Sequence, residues 1–552
     1  KKYQMKKSDL DALEQKVHWK NGLNQFKVGT IAATMTSLIC ASIPSFAADI
    51  EIYVPGNSSQ GATTIMFLLD ISGSMDTRSI EQDYGSICNK NSKGNTTFEG
   101  NATDGQYCVA SGREITDQVS KDCDKSGNEY KCFDRISRLR QGMLAVLEGN
   151  ATKGVKKLDD DLVIGLSTLG AYTTTNHETG AVKVPARALN ENVAGTSKTQ
   201  REILIEEVKK FRGQTNTPTT RSYAEVVAYL MGKTTQISGG EWYFGGISNR
   251  QNIYAECISM AETGSCLTWG TVYYGSVPSG FTQGASTPVN GYSGNVYTAN
   301  NAYSGFGYSN DLTKNAGKTA YAAPTTISRQ ISYTDDEKKC SGQGVYVLTD
   351  GVPNFGRGTS GLIRKALGNK SAGFECTDSE AGWNCTLNLA SAIFDSTKNP
   401  ANISFKTAVV GFGRDFNTIS SSVQTEAGVD ALTGIKDDIK QAAKWGIRGR
   451  GGWYSGSNAQ DVSESIADFV NKSGGEIPSI STGSSTVPMD ALNPEIIQKY
   501  AYFPQFEPKI KSSDSAQLWF GNLKKYYVVN SGVYADKNGT SSQTVVLESK
   551  LQ

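Results

Sequence analysis

The sequence predicts an α/β fold, a doubly wound and mostly parallel sheet with long disulfide-stapled insertions, followed by the start of a β-rich domain. Three observations predict it. Short, wholly apolar runs such as Ile65–Leu69 and Val345–Leu348 read as strands buried on both faces. Amphipathic helical segments alternate with them, as crossover helices do in a parallel sheet. Polar stretches full of Gly, Ser, Asn and Thr separate these elements at intervals too long for simple connections.

The elements follow in order. Ile65–Leu69 is the first strand, and a helix at about Ile136–Glu148 sets Ile136, Leu139, Met143 and Leu147 on one face. Leu162–Ser167 is the next buried strand. A helix at about Arg201–Phe211 groups Leu204, Val208 and Phe211, and a shorter one at Ser222–Leu230 buries Tyr223, Val226, Val227 and Leu230. Strands at Val345–Leu348 and Ile403–Val410 come later, and the last helix, around Val462–Val470, carries Val462, Ile466, Phe469 and Val470. This domain is expected to span residues 48–472, with insertions at about 76–131, 239–323 and 356–384. The second insertion scatters Trp242, Tyr243, Phe244, Trp269, Tyr273, Tyr274, Tyr292, Tyr297 and Tyr303 among small polar residues. That mixture suits a recognition surface, where rigid aromatics supply contact area, and equally suits surface decoration. A Gly/Ser/Thr/Pro linker is expected at 473–492. Residues 493–552 read as short strands at Tyr500–Phe506, Ala516–Leu523 and Tyr526–Val529, too little chain for a core of their own, so the natural protein is expected to continue past Gln552.

The N-terminus reads as a secretory signal over residues 1–47. Lys20 and Lys27 precede an apolar stretch from Val28 to Ile43, then Pro44 and the small-residue site Ser45-Phe46-Ala47 before Ala48. A membrane anchor is the competing reading, but Thr30, Thr34, Thr36 and Ser37 interrupt a stretch already short for a span. Ile39 is too bulky to precede a lipidated cysteine at Cys40. No later segment is expected to cross a bilayer. Charge is balanced, with 55 basic against 54 acidic residues, which argues against a nucleic-acid binder.

Nine of the ten cysteines lie beyond the signal. Three pairs share one spacing, Cys123 with Cys132, Cys257 with Cys266, and Cys376 with Cys385. In an exported chain these read as local disulfides that staple insertions rather than the core sheet, each worth roughly 2.5–3 kcal/mol by loop closure. Cys88 with Cys108 is a fourth candidate pair, and Cys340 is left over. Zinc is the competing reading. It favours closer cysteines with histidines among them, and His177 is the only histidine after the signal.

The sharpest chemical signal ends the first strand: Asp70-Ile71-Ser72-Gly73-Ser74. A loop at the C-terminal end of a strand in a doubly wound sheet faces the crevice where ligands bind. One carboxylate and two hydroxyls are hard oxygen donors, suited to Mg²⁺, with Mn²⁺ or Ca²⁺ as alternatives. Two further strand-end residues join them, Thr217 before Pro218 and Asp350 in Leu348-Thr349-Asp350-Gly351. Two lesser acidic motifs carry less. Asp122-Cys123-Asp124-Lys125-Ser126-Gly127 begins like an EF-hand calcium loop, but Phe133 stands where the closing Glu belongs. Asp159-Asp160-Asp161 reads as a solvated turn.

The set Asp70, Ser72, Ser74, Thr217 and Asp350 resembles the metal-ion-dependent adhesion site of von Willebrand factor type A domains, with all five positions filled. The resemblance implies a site with one coordination position open to an acidic group of a partner. A narrower resemblance rests on the order of signal, this domain with large insertions, Tyr500–Phe506 and then Leu518-Trp519-Phe520-Gly521-Asn522-Leu523-Lys524-Lys525-Tyr526. It is similar to the PilC/PilY family of type IV pilus tip adhesins, in which such a segment opens a C-terminal β-propeller. That implies a protein exported through the periplasm and outer membrane to the pilus tip, with minor pilins and a host-cell or matrix receptor offering an acidic group as partners. A structural, force-transmitting pilus cap without a specific receptor is the alternative function. A secreted metal-dependent hydrolase is remote, because the sequence has no G-x-S-x-G elbow and an oxygen-only site does not activate water as zinc does. The chain is expected not to be an enzyme.

Overall fold

The computed structural model describes residues 63–474, apart from 111–114, 172–177, 238–240, 262–264, 278–281, 300–302, 334–337 and 339–340, together with three strands between 500 and 534. The expected signal at 1–47, the linker beyond 474, His177 and Cys340 lie outside the described residues.

Six strands form the main sheet: β1 (Thr63–Leu69), β2 (Val163–Thr168), β3 (Ala181–Ala188), β4 (Gly342–Thr349), β5 (Lys406–Phe412) and β6 (Arg450–Gly456). Their order is β6-β5-β4-β1-β2-β3. All neighbours run parallel except the edge pair β2 and β3, which is antiparallel. The chain builds outward from β1 to β3 on one side, then returns to lay β4, β5 and β6 on the other. The order therefore reverses between β1 and β4, and the C-terminal ends of those two strands flank the crevice of an open α/β sheet.

The apolar runs explain why both faces are covered. Strand side chains alternate between faces, so Met66 and Leu68 of β1 enter one core while Ile65, Phe67 and Leu69 enter the other. The first core is closed by helices α4 (Thr219–Leu230), α5 (Thr359–Leu367), α6 (Trp383–Phe394) and α7 (Asp437–Arg448); the second by α2 (Arg135–Glu148), α3 (Gln200–Lys209) and α8 (Ala459–Ser473). Helix α1 (Thr77–Tyr84) lies in the first insertion. Local signals set the helix starts. Thr199 with Glu202 and Asn458 with Asp461 form capping boxes ahead of α3 and α8. Asp134 caps α2 by accepting from the Ser137 amide at 2.8 Å.

The insertions carry secondary structure of their own. The first contains α1 and a four-stranded antiparallel sheet, with Cys88, Cys108, Cys123 and Cys132 in a small core of its own. The second contains a five-stranded antiparallel path, Cys266–Trp269, Gln251–Met260, Glu241–Ser248, Tyr292–Ala299 and Thr282–Val289 in that order. The segment 356–384, expected as an insertion, has structure too. It holds α5, whose Leu362, Ile363, Ala366 and Leu367 are buried in the main core, so the segment is part of the scaffold. The short, Gly-interrupted apolar run of α5 hid its helical period.

Disulfides join Cys88 to Cys108, Cys123 to Cys132, Cys257 to Cys266, and Cys376 to Cys385. Such bonds belong to an oxidising compartment. Cys257, Cys376 and Cys385 sit in the main core, so two of the bonds tie into the scaffold rather than stapling insertions alone. Among the described residues no helix is long and apolar enough to cross a membrane. Beyond 500, Tyr500–Glu507, Phe520–Val529 and Gly532–Tyr534 form an antiparallel sheet. The two strands expected at Ala516–Leu523 and Tyr526–Val529 are one strand from Phe520, because Lys524 and Lys525 continue the pairing opposite Phe503 and Tyr502.

Candidate metal centre

The loop after β1 is held by its own backbone and by the neighbouring loop. Asp70 leaves the strand fully buried, and its Oδ1 accepts from the Ser72 amide at 2.8 Å. Its Oδ2 accepts from Thr349 Oγ1 at 3.0 Å and from the Asp350 amide at 3.2 Å, which ties the end of β1 to the end of β4. The Gly73 amide donates to the Thr215 carbonyl at 2.8 Å, and the Gln214 amide donates to the Ile71 carbonyl at 3.0 Å. This contact needs Gly213, since a Cβ there would lie 2.7 Å from the Asp76 nitrogen and 3.0 Å from the Ser72 oxygen. The loop before α4 is held in turn by Asn354. Its Oδ1 accepts from the Thr217 amide at 2.9 Å, and its own amide donates to the Thr217 carbonyl at 3.0 Å.

These constraints bring the five sequence-predicted residues together. Ser72, Ser74, Thr217 and Asp350 line one cleft of about 640 Å³, with Asp70 buried behind them. The Ser72 and Ser74 hydroxyls are 2.8 Å apart, and Ser74 Oγ donates to Asp350 Oδ1 at 2.7 Å. Arg78, Val352, Asp415, Phe416, Lys436 and Ile439 also line the cleft.

Sequence reading missed the cation within the protein. Arg135, the first residue of α2, donates from NH1 to Asp350 Oδ2 at 2.9 Å, and its Nε and NH2 reach Asp83 at 3.0 and 2.6 Å. Arg138, one turn on, donates to Asp83 at 2.5 Å and to the Tyr84 hydroxyl at 2.8 Å. The available signal was a pair of arginines on the helix face that also carries Ile136 and Leu139. Asp83 itself gave none, because it sits 52 residues from Arg135 in sequence.

Electrostatics separate the carboxylates. Burial pushes Asp70 above the usual carboxylate range, against hydrogen bonds that favour its charge. Burial raises Asp350 to about 7, with the neighbouring Asp70 charge adding to it and Arg135 working against it. Burial would raise Asp83 too, but Arg138 and Arg135 outweigh it and hold it down at about 2. Two buried carboxylates that repel each other, with serine hydroxyls between them and a threonine across the cleft, form an all-oxygen donor set. Hard divalent cations take such sets, and a cation would offset the repulsion.

The other acidic motifs hold no comparable set. Asp122 turns inward, accepting from Ser457 Oγ at 2.8 Å, while Asp124–Ser126 forms a hairpin strand. Asp378 lies beside Cys376 and Cys385, but those sulfurs are joined to each other. Its oxygens cap α5, accepting from the Thr359 and Ser360 amides at 3.0 and 2.9 Å.

No protein-family model matches this sequence, and no curated protein matches it either. Among solved structures, a point mutant of the PilB minor pilin from Streptococcus sanguinis aligns at 10% identity over 75% of this chain, with a TM-score of 0.20. The alignment spans 64% of that chain, less than two thirds of its length. Superposition this weak carries no argument about fold or function.

Proposed function

We propose that this chain is an exported, non-catalytic binding protein: a von Willebrand factor type A-like domain that grips a partner through a divalent cation, acting at a type IV pilus tip as adhesin or assembly factor. One observation carries the reading. Ser72, Ser74, Thr217 and Asp350 meet on one cleft in front of Asp70, where the strand order reverses. Asp70 would hold the ion's charge, Ser72 and Ser74 would add hydroxyl oxygens, and Thr217 and Asp350 would complete the site directly or through water. Mg²⁺ suits this set, with Mn²⁺ or Ca²⁺ as alternatives. The bound ion would supply a positive centre for an Asp or Glu of a partner. Among the described residues the cleft lining includes no histidine or cysteine, which favours binding over hydrolysis. The pilus part of the reading rests on the resemblance carried by Leu518–Tyr526, and it names minor pilins and an acidic host-cell or matrix receptor as partners.

Calorimetric titration with Mg²⁺ and Mn²⁺ tests the cation. Asp70→Ala should abolish binding while circular dichroism stays native, although the Ser72 and Asp350 amides and Thr349 Oγ1 lose their acceptor and the unfolding free energy should fall. Capture of minor pilins by the wild-type chain, with and without EDTA, tests the partner. Capture that neither EDTA nor Asp70→Ala weakens would move the binding surface to the 239–323 insertion.

A further inference from the structure

Asp350 commits its two carboxylate oxygens to different partners. Oδ1 accepts from Ser74 Oγ at 2.7 Å, on the cleft side. Oδ2 accepts from Arg135 NH1 at 2.9 Å, and the same nitrogen donates to the Asp350 carbonyl at 3.3 Å. Arg135 cannot easily swing away, because its Nε and NH2 are held by both oxygens of Asp83 at 3.0 and 2.6 Å. The side chains of Arg135, Asp83 and Asp350 are 4%, 1% and 0% exposed, so water does not compete for these contacts.

We infer that Arg135 is a positioning residue that sets which cation the cleft prefers, by restraining one oxygen of Asp350 so that the carboxylate can offer an ion only the other. The inference rests on the reading of the cleft as a cation site. Its physical basis is the difference between the ions. Ca²⁺ takes six to eight oxygens and uses bidentate carboxylates readily, whereas Mg²⁺ takes six at shorter range and keeps several waters. A carboxylate locked to one available oxygen penalises Ca²⁺ and costs Mg²⁺ little. The guanidinium charge also repels either ion, but that effect is common to both and cancels in their ratio. Asp83 belongs to α1, so the first insertion acts on the site through Arg135 instead of only decorating the surface.

The test is calorimetric titration of the full chain with Mg²⁺ and with Ca²⁺, for wild type, Arg135→Gln, Arg135→Lys and Asp70→Ala. Arg135→Gln frees the second oxygen, and the ratio of the two dissociation constants should move toward Ca²⁺ by about tenfold or more, the scale on which outer partners tune a metal site. Arg135→Lys keeps a charge beside Asp83 but loses the rigid fork, so it should shift the ratio in the same direction by less. A general loosening of the fold would weaken both ions together and leave the ratio where it was. An unchanged ratio in the folded Arg135 variants therefore overturns the inference, and if Arg135→Gln does not fold, Arg135→Lys alone decides. Wild type that binds neither ion, or Asp70→Ala that binds both as well as wild type, overturns the cation reading itself and this inference with it.

Discussion

Two carboxylates of this protein share an environment by burial and differ in everything else. Asp350 and Glu225 are both buried, and burial raises each to about 7. Glu225, on α4, is sealed. Its Oε1 accepts from Thr235 Oγ1 at 2.6 Å and from the Gly305 amide at 2.5 Å, and its Oε2 accepts from the Tyr321 hydroxyl at 2.6 Å. Thr235 stands just before the second insertion and Gly305 and Tyr321 lie in its last part, so Glu225 ties both ends of the insertion to the scaffold. Asp350 instead fronts an open cleft, faces a second buried carboxylate in Asp70, and spends one oxygen on Arg135. A raised pKa thus marks burial in both places. What sets the cleft apart is a repelling acidic neighbour and a side open to solution.

The largest effect is expected at Glu225. Glu225→Ala leaves three buried donors without an acceptor and should cost about 3 kcal/mol or more of unfolding free energy in denaturant melts. Cation binding by the folded fraction should not change, and a loss of Mg²⁺ affinity there would show that the two regions are not independent.

Next comes ligand stabilisation. Mg²⁺ at about 100 times its dissociation constant should add about 2.7 kcal/mol to wild type by mass action. The melting temperature should therefore rise for wild type and for Glu225→Gln, and stay flat for Asp70→Ala. The pH dependence sharpens the same contrast. Glu225 binds its proton more tightly folded than its ordinary 4.5 allows, so its stabilisation is complete below about 4.5 and is lost as pH rises through about 7. Glu225→Gln, which cannot ionise, should flatten that part of the stability profile. A profile identical to wild type would remove Glu225 as its source.

The smallest effect belongs to the cleft rim. Lys436 pairs with Asp415 at 2.9 Å, and both side chains are mostly exposed. Exposed pairs of this kind contribute little, so Lys436→Ala should leave the melt unchanged. A clear loss would mean that the rim is braced more firmly than its exposure implies.

Local pattern determined much of this protein. The five-residue apolar run of β1 reads as a strand buried on both faces, and the alternation after it points to a mostly parallel sheet with crossover helices. The oxygen-rich turn after β1, the Thr-Pro before α4 and the Thr-Asp-Gly after β4 each stand at the end of an element that its own neighbours specify. Their order along the chain, together with the resemblance to a metal-ion-dependent adhesion site, named Asp70, Ser72, Ser74, Thr217 and Asp350 as one set. The cysteine spacing likewise pointed to pairs that lie close in space. Such signals are short in sequence because strands, turns and small loops are made by adjacent residues.

Long-range packing supplied the rest. Helix α5 is too short and too interrupted by Gly361 to show a period, and it becomes legible as core only when Ile363 and Leu367 join the cluster that includes α4. Asn354 reaches Thr217 across 137 residues and Arg135 reaches Asp350 across 215, separations at which no sequence spacing carries information. A buried arginine on a helix reads as a surface charge until the fold supplies Asp83 and Asp350. The sequence could say which oxygens gather at the crevice, because each is local to its own turn. Which of those oxygens stays free depends on a guanidinium delivered by another helix, and only packing brings the two together.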